Sequence, residues 1–283
     1  MNIFLFIIVT DYQSVIIFFE IPINLRHIMQ EQKILGVDVG ASGIKGAIID
    51  VRTGELLTER LRYPTPDPST PDEMTKVFAY LVKEMEWQGP IGCGFPAVIK
   101  KGISYTASNI EKSWIGADVA ELFGKATGSK VFVLNDADAA GMAEMRFGKG
   151  KNKMGTVVLI TVGTGLGTGI FLDGKILPNS EFGQIYLKGH QHIAEWYASN
   201  SAKKREDLSW ETWAKRFDDY LQQMEILLSP DLFILGGGTS KYFDQYKDCF
   251  TIPTKIVPAQ LLNNAGMVGA AVHAWEQLHG KWE

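Results

Sequence analysis

Hydrophobic and polar positions fall into blocks whose period changes along the chain. "KILGVDVG" (33–40) is a nearly continuous apolar run ending in glycine, which predicts a buried strand. "IKGAIIDVRTGELLTERLRYPT" (44–65) alternates around a turn at Thr53 and Gly54 and predicts two more strands in hairpins with the first. "STPDEMTKVFAYLVKEME" (69–86) opens with Ser, Thr, Pro and acids, then takes up helical apolar spacing. "PIGCGFPAVIKKGISY" (90–105) reads as strand, loop, strand, and "IGADVAELFGKATG" (115–128) as a helix closed by glycine. "KVFVLND" (130–136) is a strand with Asn135 and Asp136 at its carboxyl end, and "ADAAGMAEMRFG" (137–148) a helix.

The logic then repeats. "TVVLITVGTGLGTGIFLDGKIL" (156–177) is a strand broken at its centre by a glycine-rich turn. Residues 191–228 read as helical with one polar face. "DLFILGGGTSK" (231–241) is a buried strand, three glycines and a helix start; "TKIVPAQ" (254–260) is a short strand and "NAGMVGAAVHAWEQL" (264–278) a terminal helix. Two halves that each begin with strand, glycine turn, strand predict two α/β lobes: a small lobe over 31–134, joined by the terminal helix 264–279, and a large lobe over 135–263. A substrate belongs in the cleft between them.

The first 30 residues fit neither half. They are rich in Ile and Phe, but Asp11 and Glu20 interrupt them, so no uninterrupted run of about 20 apolar residues is present for a spanning helix. No Lys or Arg precedes the first apolar run and no small-residue cleavage site follows it, which argues against a secretory signal. The organised pattern begins just after Met29, so residues 1–30 are expected to be an extension and Met29 the natural start. Association of the extension with a membrane is the alternative.

The net charge of -4 gives no global basic excess, so nucleic acid is not the expected partner. Two cysteines, Cys93 and Cys249, exclude a disulfide framework and a four-thiolate zinc site, and a reducing cytoplasm is the simplest compartment. The candidate chemistry lies in three turns that each follow an apolar strand: "DVGASGIK" (38–45), "TVGTGLGTG" (161–169) and "LGGGTSK" (235–241). Glycines let the backbone approach an anion closely, so that successive N–H groups converge on it. Thr161 and Thr164 add hydroxyls. The P-loop pattern GxxxxGK[ST] is absent, and "GTGLGTG" leads into a strand, which disfavours a dinucleotide site. Taken alone, Asn135-Asp136 also fits a helix cap, Asn109 a turn residue and Glu181 a solvated charge.

The order of these features resembles the superfamily of actin, hexokinase and the heat-shock chaperone ATPases, and within it the ROK family of sugar kinases. "DVGASGIKGAIID", "LNDADAAGMAE", "TVGTGLGTGI", "PNSEFGQ" and "SPDLFILGGGTSK" carry the likeness over about residues 33–275. "TGELLTERLRYPTP", "TASNIEKSWIG" and "LSWETWAKRFDDYLQQMEILLSPD" resemble the polyphosphate glucokinase subgroup. The resemblance implies a two-lobed ribonuclease H-like (actin-like ATPase) fold and transfer of a phosphoryl group to the 6-hydroxyl of glucose with Mg²⁺. It implies Asp136 as catalytic base, with Asn109, Asp136, Glu181 and Gln184 binding the sugar. Gly40, Ser42, Gly43, Lys45, Thr161, Gly163, Thr164 and Gly165 would bind phosphate, Gly236, Gly237 and Gly238 the donor, and Asp38 the metal through water. A homodimer is a possible assembly.

Two departures stand out. Gln184 replaces the histidine common in ROK proteins, though an amide can still hydrogen-bond a hydroxyl, and no CxCGxxGC motif occurs, so zinc is not expected. A polyphosphate donor needs a basic track, for which Lys149, Lys151 and Lys153, and Lys203, Lys204 and Arg205, are the candidates. ATP is a possible second donor. The alternatives are an ATP-dependent kinase for another hexose or amino sugar, and a non-catalytic sugar-sensing regulator. The last is disfavoured because the extension has no basic helix pair.

Overall fold

The computed structural model describes residues 4–10, 13–19 and 32–280, which group into two compact units, Met1–Lys33 and Ile34–Glu283. In the first, β1 (Phe4–Thr10) and β2 (Gln13–Phe19) pair antiparallel, Phe4 facing Phe19 and Thr10 facing Gln13. Met29, the expected start, lies outside the described residues.

The second unit contains two five-stranded sheets. Along the chain come β3 (Lys33–Gly40), β4 (Gly43–Asp50), β5 (Leu61–Tyr63), α1 (Pro71–Glu84), β6 (Ile91–Phe95), a small hairpin of β7 (Ile99–Lys100) and β8 (Ile103–Ser104), α2 (Val119–Thr127), β9 (Val131–Asn135) and α3 (Asp136–Phe147). There follow β10 (Thr156–Val162), β11 (Leu166–Leu172), β12 (Lys175–Leu177), α4 (Ala194–Ala198), α5 (Asn200–Arg205), α6 (Trp210–Leu228), β13 (Leu232–Gly237), β14 (Ile256–Pro258) and α7 (Ala265–His279). The mixed α/β class is the one expected.

The two sheets share one wiring. Their orders are β5-β4-β3-β6-β9 and β12-β11-β10-β13-β14. In each, the first strand of the hairpin lies at the centre and takes two parallel neighbours in succession: β6 then β9, and β13 then β14. Parallel strands bring their carboxyl ends to the same edge, so the glycine turns after β3 and β10 and the residues after β9 and β13 lie where open α/β sheets bind ligands.

Alternation in β3 decides what each face meets. Leu35, Val37 and Val39 join Phe78 and Leu81 of α1 and Phe123 of α2 in one buried cluster. Ile34 on the other face joins Met267, Val268 and Ala271 of α7. α7 lies close on this face because the strands are bare there. A Cβ on Gly36 would lie 2.1 Å from the Met267 carbonyl oxygen, and one on Gly92 1.9 Å from that of Ala270.

α3 packs on α7 at one side and on β10 and β11 at the other. A Cβ on Gly269 would sit 1.6 Å from the Ala139 carbonyl oxygen, and one on Gly141 2.5 Å from the Phe171 ring. The opposite face of the second sheet is covered by α6, through Trp213, Phe217, Tyr220 and Leu221. Glu144, fully buried on α3, accepts the backbone N–H groups of Lys149 (3.0 Å), Gln260 (2.8 Å) and Leu261 (2.7 Å). One carboxylate thus joins the exit of α3 to the approach of α7.

Two local expectations need correction. The helix expected after the third glycine turn is a kinked 3-10 helix, Gly238–Gln245, broken at Tyr242. The helical stretch 191–228 is three helices rather than one. The breaks fall at Ser199 and Ser209, whose hydroxyls cap the helices that follow by accepting from Ala202 N–H and Thr212 N–H.

Gly269→Ala should destabilise the protein by several kcal/mol, although alanine is favoured over glycine within a helix by about 1 kcal/mol. The new methyl meets backbone on α3 rather than a side chain that can turn away. The midpoint of urea unfolding checks this; an unchanged or higher midpoint would mean that the two helices separate without cost.

Candidate functional site

A cavity of about 200 Å³ opens at the carboxyl ends of the strands. Its wall combines Ala41 of the first glycine turn, Thr106 and Asn109 from the loop after β8, Asn135 and Asp136 at the β9–α3 junction, and Thr161 and residues 163–168 of the second turn. Glu181, Gln184, Glu195 and Gly237 complete it.

The β9–α3 junction divides two tasks between adjacent residues. Asn135 is the cap: its side-chain oxygen accepts from the N–H groups of Ala137 (2.8 Å) and Asp138 (3.1 Å), and its amide donates to the Ala97 carbonyl (3.1 Å). Asp136, the first helical residue, takes only a second bond from Ala137 N–H at 2.8 Å, and its carboxylate faces the cavity. Burial, and then the negative charge of Asp38, push its pKa up to about 7 against that N–H, with Glu181 and Asp138 adding to the rise. A carboxylate tuned towards neutrality is suited to receive a proton from a hydroxyl.

Asp138, two residues further along α3, is buried and also raised to about 7, chiefly by desolvation. It accepts the N–H of Asn179 at 2.7 Å, and Asn179 in turn holds both backbone groups of Ile99. This network fixes the 178–181 segment, and with it Glu181, against α3. The Glu181 carboxyl is raised by burial and by the charge of Glu195.

Glu195 is not legible as a site residue in the sequence, where an acid in the first turn of a helix is ordinary. In the fold it reaches across to the second glycine turn and accepts Leu166 N–H at 2.9 Å. Gly165 makes the room: a Cβ there would lie 2.0 Å from Glu195 Oε2 and 3.4 Å from the Asn109 amide nitrogen. Asn109 and Glu195 therefore converge on one glycine. A Cβ on Gly163 would meet no heavy atom within 4 Å, so the backbone there is open to a ligand, and the turn is closed by Gly163 N–H to the Gly165 carbonyl at 3.0 Å.

The remaining expected residues are distributed as follows. Thr161, Gly163, Thr164, Gly165 and Gly237 line the cavity, whereas Gly236 lies within β13 opposite Thr161, and Gly238 opens the 3-10 helix. Gly40, Ser42 and Gly43 flank Ala41 just outside the lining, and the carbonyls of Gly40 and Ser42 are held by Thr65 (2.6 Å) and Arg62 (2.9 Å). Lys45 belongs to β4 and ion-pairs with Asp38 at 3.0 Å. Asp38 also abuts the start of α7, where a Cβ on Gly266 would lie 2.7 Å from its carboxyl carbon.

Neither basic cluster lines the cavity. Lys149, Lys151 and Lys153 follow the far end of α3, a helix of 12 residues and so roughly 18 Å long. Lys203 donates to the Leu208 carbonyl and stacks on Trp210; Arg205 bonds Glu206 and the Trp196 carbonyl and lies over the Trp196 ring. Lys204 is exposed.

The model of the ROK family matches residues 34–195. A polyphosphate glucokinase of Mycobacterium tuberculosis is 44% identical over 238 residues, covering 84% of this chain and 89% of that protein. Among solved structures, the inorganic polyphosphate/ATP-glucomannokinase of an Arthrobacter strain superposes with a TM-score of 0.84 at 43% identity, over 87% of this chain and 99% of that one. A ROK family glucokinase from Streptomyces griseus, solved with glucose and AMPPNP, has a TM-score of 0.75 at 24% identity, over 86% of this chain and 99% of that one, a likeness of fold.

The raised pKa of Asp136 has a stability consequence. The folded form holds its proton up to about 7, against 3.8 for the ordinary carboxyl. Stability from this group is therefore full below about pH 4 and is lost as the pH rises to 7, where the buried charge must be carried. Asp136→Asn should melt higher than wild type at pH 8, with the gain shrinking towards pH 5. The distance between those two pKa values caps the gain at about 4 kcal/mol, and solvent in the cavity keeps it below that. Thermal melts of both proteins at pH 5, 6.5 and 8 measure it; a variant no more stable than wild type at pH 8 would mean that the folded state carries the Asp136 charge without cost.

Proposed function

The chain belongs to the ROK family, and we propose that it phosphorylates the 6-hydroxyl of glucose with inorganic polyphosphate, and with ATP as a second donor. The observation that carries this reading is the convergence of Asn109, Asp136, Glu181 and Glu195 on a cavity whose other wall is made of glycine turns. Carboxylates and amides are the acceptors and donors that a polyhydroxylated sugar needs, and open backbone N–H groups are what a phosphoryl group needs. The polyphosphate glucokinase and glucomannokinase relatives support the choice of sugar and donor.

Asp136 accepts the proton of the attacking hydroxyl. Asn109, Glu181, Gln184 and Glu195 orient the ring so that this hydroxyl faces the second glycine turn. Thr161, Thr164 and the N–H groups of Thr164 and Gly165 hold the phosphoryl group in line. Positioning and charge stabilisation are the main demands of phosphoryl transfer, which this arrangement meets without a covalent intermediate.

A divalent cation, Mg²⁺, fits the donor set. Magnesium takes one or two carboxylates and completes its shell with water and donor phosphates. Asp38 is a part-exposed carboxylate beside the first turn, and its charge is felt at Asp136. Asp38 would hold the ion through water, and the ion supplies neutralisation of the donor's phosphate charge. The likeness to a glucomannokinase also favours mannose as a second acceptor.

The test is initial rate against donor concentration at fixed glucose. Long-chain polyphosphate should serve at least as well as ATP and lose more of its apparent affinity with added salt, since a bound polyanion displaces counterions. Turnover with ATP alone would make this an ATP-dependent sugar kinase. Asp136→Asn should lower kcat by about 10²–10⁴ while glucose binding persists. Near wild-type turnover would remove Asp136 from the reaction.

A further inference from the structure

Lys45 and Arg62 face each other as direct partners across β4 and β5, so their side chains leave the same face of the sheet. Like charges in that relation repel, and neither strand needs them there for burial: Arg62 is exposed and the Lys45 side chain is 25% exposed. Only one carboxylate among the described residues is bonded to the pair, Asp38, whose Oδ2 lies 3.0 Å from Lys45 Nζ. The group carries a net charge of +1 beside the cavity.

Its position is set by the first glycine turn. Arg62 Nη2 donates to the Ser42 carbonyl at 2.9 Å, and a Cβ on Gly43 would lie 2.9 Å from both Nε and Nη2. The guanidinium therefore lies on the turn where a side chain would otherwise stand. One of its five N–H donors is used on Ser42; the fork is otherwise suited to phosphate oxygens. Ala41, the residue before Ser42, already lines the cavity. A chain of phosphates leaving the cavity past Ala41 runs onto Ser42 and Gly43, and so onto Arg62.

We propose that Arg62, with Lys45 opposite it, binds the donor's phosphate chain beyond the transferred group and gives the site its preference for a linear inorganic polyanion. This rests on the donor reading above. A triphosphate carrying a nucleoside offers an uncharged group where the longer chain offers further negative charge. The preference thus comes from a cation pair on the first sheet rather than from the lysines beyond α3.

Arg62→Gln tests it, because the glutamine amide can still donate to Ser42 while the charge is gone. Long-chain polyphosphate is titrated into wild type and variant by calorimetry without glucose, a measurement that needs no turnover. The variant should bind about tenfold more weakly, the scale of one screened charge-assisted contact. Its slope of log affinity against log salt should fall by about 1, and Arg62→Lys should restore the slope. In steady state the KM for long-chain polyphosphate should rise about tenfold, that for ATP by less than about threefold, and that for glucose should stay unchanged. Equal losses for both donors, an unchanged salt slope, or no binding of polyphosphate to wild type would overturn the proposal. Wild-type binding and turnover with an unaffected Arg62→Gln would overturn it while leaving the donor reading intact.

Discussion

The close contact of α3 with α7 is the constraint on which the rest of the structure depends. Gly269 against the Ala139 carbonyl brings two helix backbones together with no side chain between them. α7 in turn rests on Gly36 and Gly92, where the first sheet has no side chains to hold it off. α3 meets the second sheet through Gly141 and Phe171. Glycine at each of these contacts sets the depth at which α3 sits, and α3 carries Asp136 at its amino end. The placement of one carboxylate therefore follows from small residues spread over four elements. The energetic reason is that the interior is close-packed and cannot absorb a misplaced methyl by compressing.

The cavity inverts the usual rule about buried charge. Asp136 and Glu181 are both raised by burial, and each is raised further by a neighbouring acid, Asp38 in one case and Glu195 in the other. No structural need of the fold explains so many acids on one wall. Their repulsion is tolerable because three of them have a compensating contact: Ala137 N–H for Asp136, Leu166 N–H for Glu195, Lys45 for Asp38. On the proposed function, a ligand rich in hydroxyl donors would relieve the remainder, and without it the site would carry that repulsion as a cost to stability.

Much of this is legible in the sequence, for physical reasons that differ by element. The glycine turns are visible because a strand followed by glycines is a local signal. The junction at Asn135 and Asp136 is visible as a cap or a catalytic pair, and the structure assigns the cap to Asn135. Glu195 is not visible, because its meaning comes from Gly165 and Asn109, 30 and 86 positions earlier in the chain. The kink at Tyr242 is hidden because a helix start and a 3-10 turn share the same pattern of residues. The lysine clusters are conspicuous in sequence because they are closely spaced. The pairing of Lys45 with Arg62 is not, since the strand register alone makes them neighbours.

The three bonds to Glu144 bear on how the chain can vary. A carboxylate offers only acceptors, and here both oxygens receive backbone N–H groups from two separate segments. A glutamine in its place would turn an amide donor towards one of those N–H groups, and an aspartate would fall a methylene short. The position is therefore closed to the usual conservative exchanges. Segments 149 and 260–261 are far apart in sequence but answer to a single side chain. A shift in the backbone of either stretch therefore has to keep register with the other.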